Sequence, residues 1–382
     1  TDVEGSARPS PINTLPDMGA YENENGAGVY NGPVWYVDGS SELPYANGSE
    51  SAKFSKIQVG INAAISGDTV LVSAGTYVEN IDFSGKNLII IGENRETTII
   101  DGNSIGRVVN MAGSESILSN FTIQNGTGSE TVRGSGIYAA GNDILNNLIV
   151  KNNTNTSGWG AGITLGGISN GTNKTILKNS IIIDNNGDGI VCDGGNSEIY
   201  NVTVANNSMA GIYLRPNAGN AHPTVINSII YGNLDNHQLV VGQPNSSYNN
   251  GIDISYSLVQ EGQDSIVATL NDTINWGSGN IDVDAMFVDT ANGNYHLLAT
   301  SQLINAGHPD STDSDGSRAD MGAYPYLNSY SGPIWYITES GNDTTGTGAS
   351  NDPFRSIQSG INFSSDADSV TVAAGTYVEN IN

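Results

Sequence analysis

A six-residue phrase occurs five times between residues 118 and 233, and it limits the possible folds more than any other feature of the chain. Each copy has an apolar residue first, asparagine third, and apolar or β-branched residues near its end, and a Gly-Ile pair follows four of the copies. The asparagines of the five copies, which are 22 to 32 residues apart, are Asn120, Asn147, Asn179, Asn201 and Asn227. A recurring period of this size is typical of a repeat architecture.

The repeating unit has the composition of β-structure. Each phrase is a short run rich in Ile, Val, Leu and Thr and bounded by Asn and Gly, and no ten-residue helical pattern lies between the phrases. Parallel strands without crossover helices predict a coil in which every turn is a rung of short strands. We therefore predict an all-β fold, a right-handed parallel β-helix, with the repeated asparagines forming an internal amide ladder at a bend. The alternative for these asparagines is a turn-forming role alone.

Residues 54–66 carry the one convincing helical pattern ahead of the rungs. The apolar residues that share one face at helical spacing are Phe54, Ile57, Ile61, Ala64 and Ile65. The first rung of a solenoid exposes unpaired backbone, so we expect a short N-terminal helix here to cap it. A partner-binding helix is the alternative. The coil itself is expected to run from about residue 69 to residue 307.

The chain also repeats on a larger scale. Residues 32–37 return with two changes at 332–337 and residues 74–81 return unchanged at 374–381, both with an offset of 300. Residues 1–21 share turn motifs with residues 312–324, near the other end. We predict three parts: residues 1–31 are the tail of a preceding unit, residues 32–331 are a complete unit, and residues 332–382 begin the next unit.

Phrases at both ends of the complete unit resemble a known family. They are Phe-Ser-Lys-Ile-Gln at 54–58, Gly-Asp-Thr-Val at 67–70, Gly-Thr-Tyr at 75–77, Ile-Asn-Ala-Gly at 304–307 and Asp-Met-Gly-Ala-Tyr at 320–324. These motifs are similar to those of right-handed parallel β-helix repeat proteins of bacterial cell surfaces, and the resemblance covers nearly the whole chain. It implies a secreted or surface-anchored protein, often built of many repeats. It implies little about chemistry, because most members have no known activity.

The amino-acid composition limits the kinds of partner that the chain can bind. The 39 acidic and 13 basic residues give a net charge of −26, whereas nucleic acid binding needs a basic surface, so we expect no nucleic acid partner. No stretch is apolar enough to span a bilayer, so no membrane insertion is expected. The single cysteine, Cys192, is expected in the core. The acidic excess fits Ca²⁺ binding or, more simply, a solvated surface.

An enzyme that acts on acidic polysaccharide is the main catalytic alternative for such a coil. It would need carboxylates for Ca²⁺ or for acid–base chemistry and a basic side chain, all grouped on one wall. The best constellation on adjacent rungs consists of Lys178, Asp184, Asp188, Asp193 and Arg215. It matches no lyase or polygalacturonase signature, so these five are catalytic candidates only if the chain is an enzyme.

A candidate metal site lies near the end of the complete unit. Asp310, Asp313 and Asp315 precede Gly316, and alternating aspartates before a glycine turn can surround a Ca²⁺ ion. The glutamate that closes a twelve-residue calcium loop is absent. No cofactor is required, and Ca²⁺ is the one that this pattern suggests. An Asx-rich turn is the alternative.

The 300-residue repeat favours a structural role. We predict a module of an extracellular or cell-surface tandem-repeat protein, such as a fibre, stalk or adhesin, whose partners are adjacent repeats or other copies of itself. The first alternative is a lyase or glycoside hydrolase. The second is non-catalytic binding of surface glycans by aromatic residues near the longer insertions, Trp159 and Tyr213.

Overall fold

The computed structural model describes most of the chain beyond residue 29. The described ranges are 30–43, 46–129, 132–155, 157, 160–166, 174–215, 219–234, 237–242, 248–269 and 271–381. Nearly all of the predicted tail at residues 1–31 therefore lies outside the described residues, and so does Trp159.

Three long parallel sheets form a coil, and the chain passes through sheet 1, sheet 2 and sheet 3 before it returns to sheet 1 one rung further on. Sheet 1 contains Val34–Val37, Thr69–Val72, Ile89–Gly92, Ile117–Ser119, Ile144–Asn146, Ile176–Lys178, Glu198–Tyr200, Thr224–Ile226, Gly251–Ser255 and Thr273–Trp276. Sheet 2 contains Gly75–Val78, Thr98–Asp101, Thr122–Gln124, Ile149–Lys151, Ile181–Ile183, Thr203–Ala205, Ile229–Tyr231 and Leu258–Val259. Sheet 3 contains Ile81–Asp82, Val109–Ala112, Ile137–Ala140, Ile163–Gly166, Ile190–Asp193, Ile212–Leu214, Leu239–Val241 and Ile266–Ala268. This is the predicted right-handed parallel β-helix.

Alternate strand residues point into the coil and stack on their register partners. The stack of sheet 1 includes Ile90, Leu118, Leu145, Leu177, Ile199 and Val225. The stack of sheet 2 includes Ile100, Ile123, Val150, Ile182, Val204 and Ile230. All of these side chains are fully buried. Burial of each stabilises the fold by about 1.5–3 kcal/mol, and a one-residue slip would turn a whole strand inside out, so the stacks also fix the register.

The five repeated asparagines occupy the bend between sheets 1 and 2, with φ between 50° and 65°. Asn147 donates from Nδ2 to Oδ1 of Asn120 (2.8 Å), but the Asn179 amide donates to Asn146 instead (2.9 Å). Four of the five side chains are partly exposed. Asn201 donates from Nδ2 to Oδ1 of Asn179 (3.2 Å), as Asn147 does to Asn120. Two of the four neighbouring pairs are therefore bonded, and the predicted internal ladder is interrupted and partly exposed at these positions. The turn-forming alternative describes them better, because asparagine tolerates left-handed backbone.

A second set of asparagines forms the internal ladder. These are Asn153, Asn185, Asn207 and Asn233, between sheets 2 and 3, and each is at most 4% exposed. Each of the first three donates from Nδ2 to Oδ1 of the next one, over 2.9–3.0 Å. The same Oδ1 atoms also accept the backbone N–H of the preceding asparagine, over 3.0–3.2 Å. The sequence signal is a pair such as Asn206-Asn207, whose first residue takes left-handed backbone.

A helix at Ile57–Ala63 caps the first rung, within the predicted range of 54–66. It buries Ile57 and Ile61 against the coil. Glu79, from the first rung, accepts the backbone N–H groups of Ile57 (2.9 Å) and Gln58 (3.1 Å). Those amides begin the helix and have no acceptor within it, so Glu79 ties the cap to the coil. No helix in the described ranges has the length and apolar character to span a membrane.

Residues 282–326, which we call the closing segment, leave the coil and cover the outer face of sheet 2. They include the 3₁₀ turn Thr290–Asn292 and the antiparallel strands Phe287–Asp289 and Asn294–Leu297. The outward side chains of sheet 2 that become buried include Ile181, Ile183, Thr203, Ala205, Ile229 and Leu258. The predicted coil of 69–307 is therefore too long. Its last strand is Thr273–Trp276, and the residues from 282 to 307 pack on its outside instead of adding a rung.

The last part of the closing segment reaches back to an early rung. Gly322 donates its N–H to the carbonyl of Asn227 (2.7 Å), while the Tyr324 ring lies under the guanidinium of Arg95 (4.2 Å) and stacks on His296 (3.9 Å). Arg95 precedes the second strand of sheet 2, so the closing segment spans several rungs of its own unit.

Residues 330–381 are called the second head, and up to residue 372 they repeat the structure of residues 30–72, which we call the first head. Residues 373–381 repeat the sequence of residues 73–81 with few changes but form no strand, whereas Gly75–Val78 and Ile81–Asp82 are strands of the coil. The helix of the second head is Ile357–Phe363, and its strands Ile334–Ile337 and Ser369–Val372 pair in parallel. The indole of Trp335 donates to Asp368 (3.0 Å) as that of Trp35 donates to Asp68 (2.8 Å). Contacts that correspond in the two segments are thus also made by residues that are 300 positions apart.

Candidate functional site

The outer face of sheet 3 carries aromatic, β-branched and basic side chains. Its outward register positions carry Tyr138, Thr164, Val191 and Tyr213. Thr164 and Val191 are fully buried although they point away from the core. Tyr138 and Tyr213 remain partly exposed on either side of them.

Arginines line the same wall, and we call Arg107, Arg133 and Arg215 the arginine wall. The Arg107 guanidinium lies over the ring of Tyr138 (4.6 Å), and its Nε donates to the carbonyl of Arg133 (2.7 Å). Arg133 forms an ion pair with the fully buried Asp193. Three of the chain's 13 basic residues thus occupy one surface of a strongly acidic protein.

Arg215 lies one rung beyond Asp193. Its backbone N–H donates to the carbonyl of Cys192 (3.0 Å), and its guanidinium donates to the carbonyl of Ser157 (2.8 Å). Guanidinium groups keep their charge at any physiological pH, and Asp193 is held as the partner of Arg133. The three arginines thus bring positive charge to one surface, and each of them is already engaged in at least one contact with the protein.

The five catalytic candidates from the sequence do not form one cluster. Lys178 lies on sheet 1, and Asp184 is exposed at the corner after sheet 2. Asp188 is buried in the turn before sheet 3, where its Oδ1 accepts the N–H of Ala210 (3.2 Å). Only Asp193 and Arg215 share a wall. The prediction placed them together because their rungs are adjacent, but each rung visits three different walls.

The predicted calcium ligands are also not assembled. Asp310 is exposed, Asp313 accepts the N–H of Asp320 (2.9 Å), and Asp315 accepts the N–H groups of Ser317 (3.0 Å) and Asn328 (2.9 Å). Across the described ranges, no three carboxylate, imidazole or thiol groups are placed to hold a metal ion. These contacts fit the Asx-rich turn better than the calcium loop.

Asp320 is a buried acid that the sequence did not single out as a candidate site residue. It is 3% exposed, and its two oxygens accept the N–H groups of Asn305 and Tyr326, both at 2.6 Å. Burial raises its pKa to about 7, despite these two hydrogen bonds. Asp320 therefore fixes the path by which the closing segment leads into the second head.

Asp143 is another buried acid, at the corner between sheets 3 and 1. Its Oδ1 accepts the hydroxyl of Ser114 (2.8 Å) and the N–H of Ser116 (2.9 Å). Its Oδ2 has no hydrogen-bond partner within the described residues, and burial raises its pKa to about 6. Since this folded-state pKa exceeds the ordinary aspartate value of about 3.9, ionisation destabilises the fold as the pH rises from about 4 to above 6.

Asp143→Asn should therefore stabilise the protein at high pH only. We expect the unfolding free energy to rise by up to about 3 kcal/mol at pH 8, from about 1.4 kcal/mol per unit of pKa difference, and to change little at pH 4. Urea unfolding at the two pH values measures this difference. An equal effect at both values would show that the carboxylate is not the cause.

Comparisons with known proteins find resemblance in structure but not in sequence. No protein-family model matches the chain, and no curated protein matches it. A solved pectate lyase is similar at 17% identity, with 78% of this chain and 97% of that chain covered and a TM-score of 0.42. Carrot pectin methylesterase (15% identity, 66% and 79% covered, TM-score 0.36) and a rice weevil pectin methyl esterase (14%, 63% and 90%, TM-score 0.41) are also similar. The resemblance to cell-surface repeat proteins holds for the parallel β-helix fold, and membership of that family stays a hypothesis.

Proposed function

We propose that residues 32–331 are a structural module of an extracellular tandem β-helix protein, such as a surface fibre, stalk or adhesin. The observation that carries this proposal is the junction between the closing segment and the second head. Asn362 of the second head donates from Nδ2 to the carbonyls of Ala299 (3.0 Å) and Ser301 (3.1 Å), and Ala299 donates its N–H to the carbonyl of Asp343 (2.7 Å).

Aromatic packing adds to the junction. The Tyr326 ring lies 5.4 Å from that of Phe363, and its hydroxyl donates to the carbonyl of Gly346 (2.7 Å). Phe363 also packs against Trp335 (5.8 Å). In the first head, position 63 is alanine, so this packing is particular to the junction described here. Side chains from both units thus hold the second head against the unit before it.

Such a junction gives a chain of units mechanical continuity. Eight rungs at about 4.8 Å each make a coil roughly 35 Å long, whose strands all pair with neighbouring rungs. A next unit that docks by hydrogen bonds and aromatic contacts is held at one angle, whereas a bare linker would let it swing. Units joined in this way form a stiff spacer.

The test is limited proteolysis of Asn362→Ala. Loss of its two hydrogen bonds should loosen the second head, so we expect cleavage within residues 325–333 to become several-fold faster while the coil stays intact. Asn62→Ala is the matched control, because Asn62 holds the same position in the first head, and it should leave the rate unchanged. Equal rates for wild type and Asn362→Ala would argue against a docked junction.

A second candidate function is binding of an acidic polysaccharide at the arginine wall. The grouping of Arg107, Arg133 and Arg215 beside two tyrosines favours it, since guanidinium groups pair with carboxylates and aromatic faces pack on sugar rings. Titration calorimetry with polygalacturonate should show binding that weakens at least about tenfold in Arg107→Ala and falls with added salt. Lys151→Ala, on sheet 2, is the control for loss of one positive charge.

The same titration separates binding from catalysis. Accumulation of unsaturated uronides or of reducing ends during incubation would indicate a lyase or a glycoside hydrolase. Absence of both binding and products would leave the structural role as the function of the unit.

A further inference from the structure

The two heads share one framework. In each head the tryptophan ring stacks on a phenylalanine, Trp35 on Phe54 (6.1 Å) and Trp335 on Phe354 (6.2 Å). A seven-residue helix follows the phenylalanine in both heads. A loop that differs between the two heads is therefore carried by the same scaffold.

One such loop precedes the phenylalanine. Residues 339–347, which we call the junction loop, share a single residue with residues 39–47 at the same nine positions. By contrast, four of the six residues at 32–37 return at 332–337, just ahead of the loop. The junction loop therefore belongs to the variable part of the head.

The backbone of the junction loop also excludes the residues of the first head. A Cβ on Gly341 would overlap the carbonyl oxygen of Phe354. A Cβ on Gly346 would overlap the carbonyl oxygen of Asn342. The first head has serine and alanine at the two glycine positions, so residues 39–47 cannot take the conformation of the junction loop.

Three carbonyl oxygens of the junction loop accept hydrogen bonds from residues that precede the second head. The pairs are the N–H of Ala299 with Asp343 (2.7 Å), the hydroxyl of Tyr326 with Gly346 (2.7 Å) and the amide of Asn328 with Thr347 (3.0 Å). The loop that differs between the heads is thus a loop that contacts the preceding unit. Variable loops on a constant scaffold are where binding specificity is carried.

The ring pair of Tyr326 and Phe363 follows the same distribution. Position 63 of the first head is alanine. Asn23 holds the place of Tyr326 when both segments are counted from the Met-Gly-Ala-Tyr motif that they share, at 18–21 and 321–324. The tyrosine and the phenylalanine therefore occur together at one junction, and both are absent from the sequence of the other.

We infer that the second head selects its neighbour. The junction loop and Phe363 recognise a closing segment that ends in Tyr326, and the first head does not accept that segment. This inference rests on the docked junction proposed above and adds that the two heads are not interchangeable. Specificity is a difference of affinities, and the wrong pairing loses the ring contact and the placement of the three carbonyl acceptors.

Limited proteolysis of a grafted head tests this selectivity in the full chain. The sequence of residues 39–47 replaces the junction loop and Phe363→Ala is added, while Asn362 is kept. Cleavage within residues 325–333 should become at least about tenfold faster, because one aromatic contact and two or more hydrogen bonds are lost. The reciprocal graft, which places the junction loop and Ala63→Phe in the first head, is the matched control and should leave that rate unchanged.

A double-mutant cycle isolates the ring pair from the folding of the head, since Phe363 also packs on Trp335. Tyr326→Ala and Phe363→Ala should each speed cleavage within residues 325–333. The double variant should be cleaved at least about twofold more slowly than the product of the two increases. Independent effects of the two substitutions would overturn the ring pair as a determinant of recognition.

The outcomes separate selectivity from docking. A grafted head that is cleaved at the wild-type rate overturns the selectivity, while faster cleavage of Asn362→Ala would still support the docked junction. Equal rates for the wild type, the graft and Asn362→Ala would overturn both, because the second head would then not be docked. Slow hydrogen exchange in the helix Ile357–Phe363 of the graft shows that the head itself remains folded.

Discussion

Replacing Asn185 by alanine should cost about 3–5 kcal/mol of unfolding free energy, one of the two largest losses expected for a single substitution. Its Nδ2 donates to Asn207 (2.9 Å) and to the carbonyl of Val150 (3.0 Å), and its Oδ1 accepts two N–H groups of Asn153 (both 3.0 Å). Alanine leaves these buried groups without partners, and each unsatisfied group costs about 1–3 kcal/mol. Urea denaturation monitored by circular dichroism measures the loss.

The neighbouring residue provides the control for this change. Asn186 is exposed and accepts the hydroxyl of Ser208 (3.0 Å), so Asn186→Ala should change stability by less than about 0.5 kcal/mol. Similar losses for both substitutions would mean that the interior ladder does not hold the rungs together.

Removal of the Tyr295 side chain should have an effect of similar size on the closing segment. Tyr295 is 1% exposed, packs against Phe287 (5.1 Å) and Ile183, and accepts a hydrogen bond from Asn206 (2.8 Å). Large-to-small core changes of this kind cost about 3–5 kcal/mol. We expect Tyr295→Ala to release the closing segment first, with faster hydrogen exchange in residues 282–326 and the second head than in the coil.

Tyr295→Phe is the matched control, because it keeps the ring and removes one hydrogen bond, at about 0.5–1.5 kcal/mol. Uniform acceleration of exchange throughout the coil in Tyr295→Ala would contradict a separately docked closing segment.

The coil was predictable because its signal repeats. Each rung needs an inward apolar residue at the same register, so residues such as Leu118, Leu145 and Leu177 recur in one phrase. The asparagine prediction picked the set whose ladder is interrupted and missed the set whose ladder is continuous, because both sets recur with the same period. Burial separates them, and only the fold shows that Asn153 points inward while Asn147 lies at a partly exposed bend.

The closing segment and the candidate site were not predictable in the same way. Tyr295 and Tyr324 meet residues far away in the sequence, such as Asn206 and Arg95, and no period connects them. The sequence predicted that Lys178 and Asp193 lie close together because their rungs are adjacent. In the structure Lys178 lies on sheet 1 and Asp193 lies on sheet 3. The repeat predicts the position of a residue along the axis of the coil. Its position around that axis depends on where the chain bends between strands, which the repeat does not give.

The proposed structural role requires that the second head is docked at a fixed angle to the preceding unit. The native cysteine permits a clean spin-label measurement, because Cys192 is buried and its thiol pKa is raised to about 12 by burial, so it resists labelling. Labels at Ser104→Cys on the coil and Ser340→Cys on the second head, both exposed positions, report the distance between the two parts by pulsed electron resonance. A single narrow distance distribution, which broadens in Asn362→Ala, is the predicted result. A broad distribution in the wild type would contradict the docked junction and the stiff array built on it.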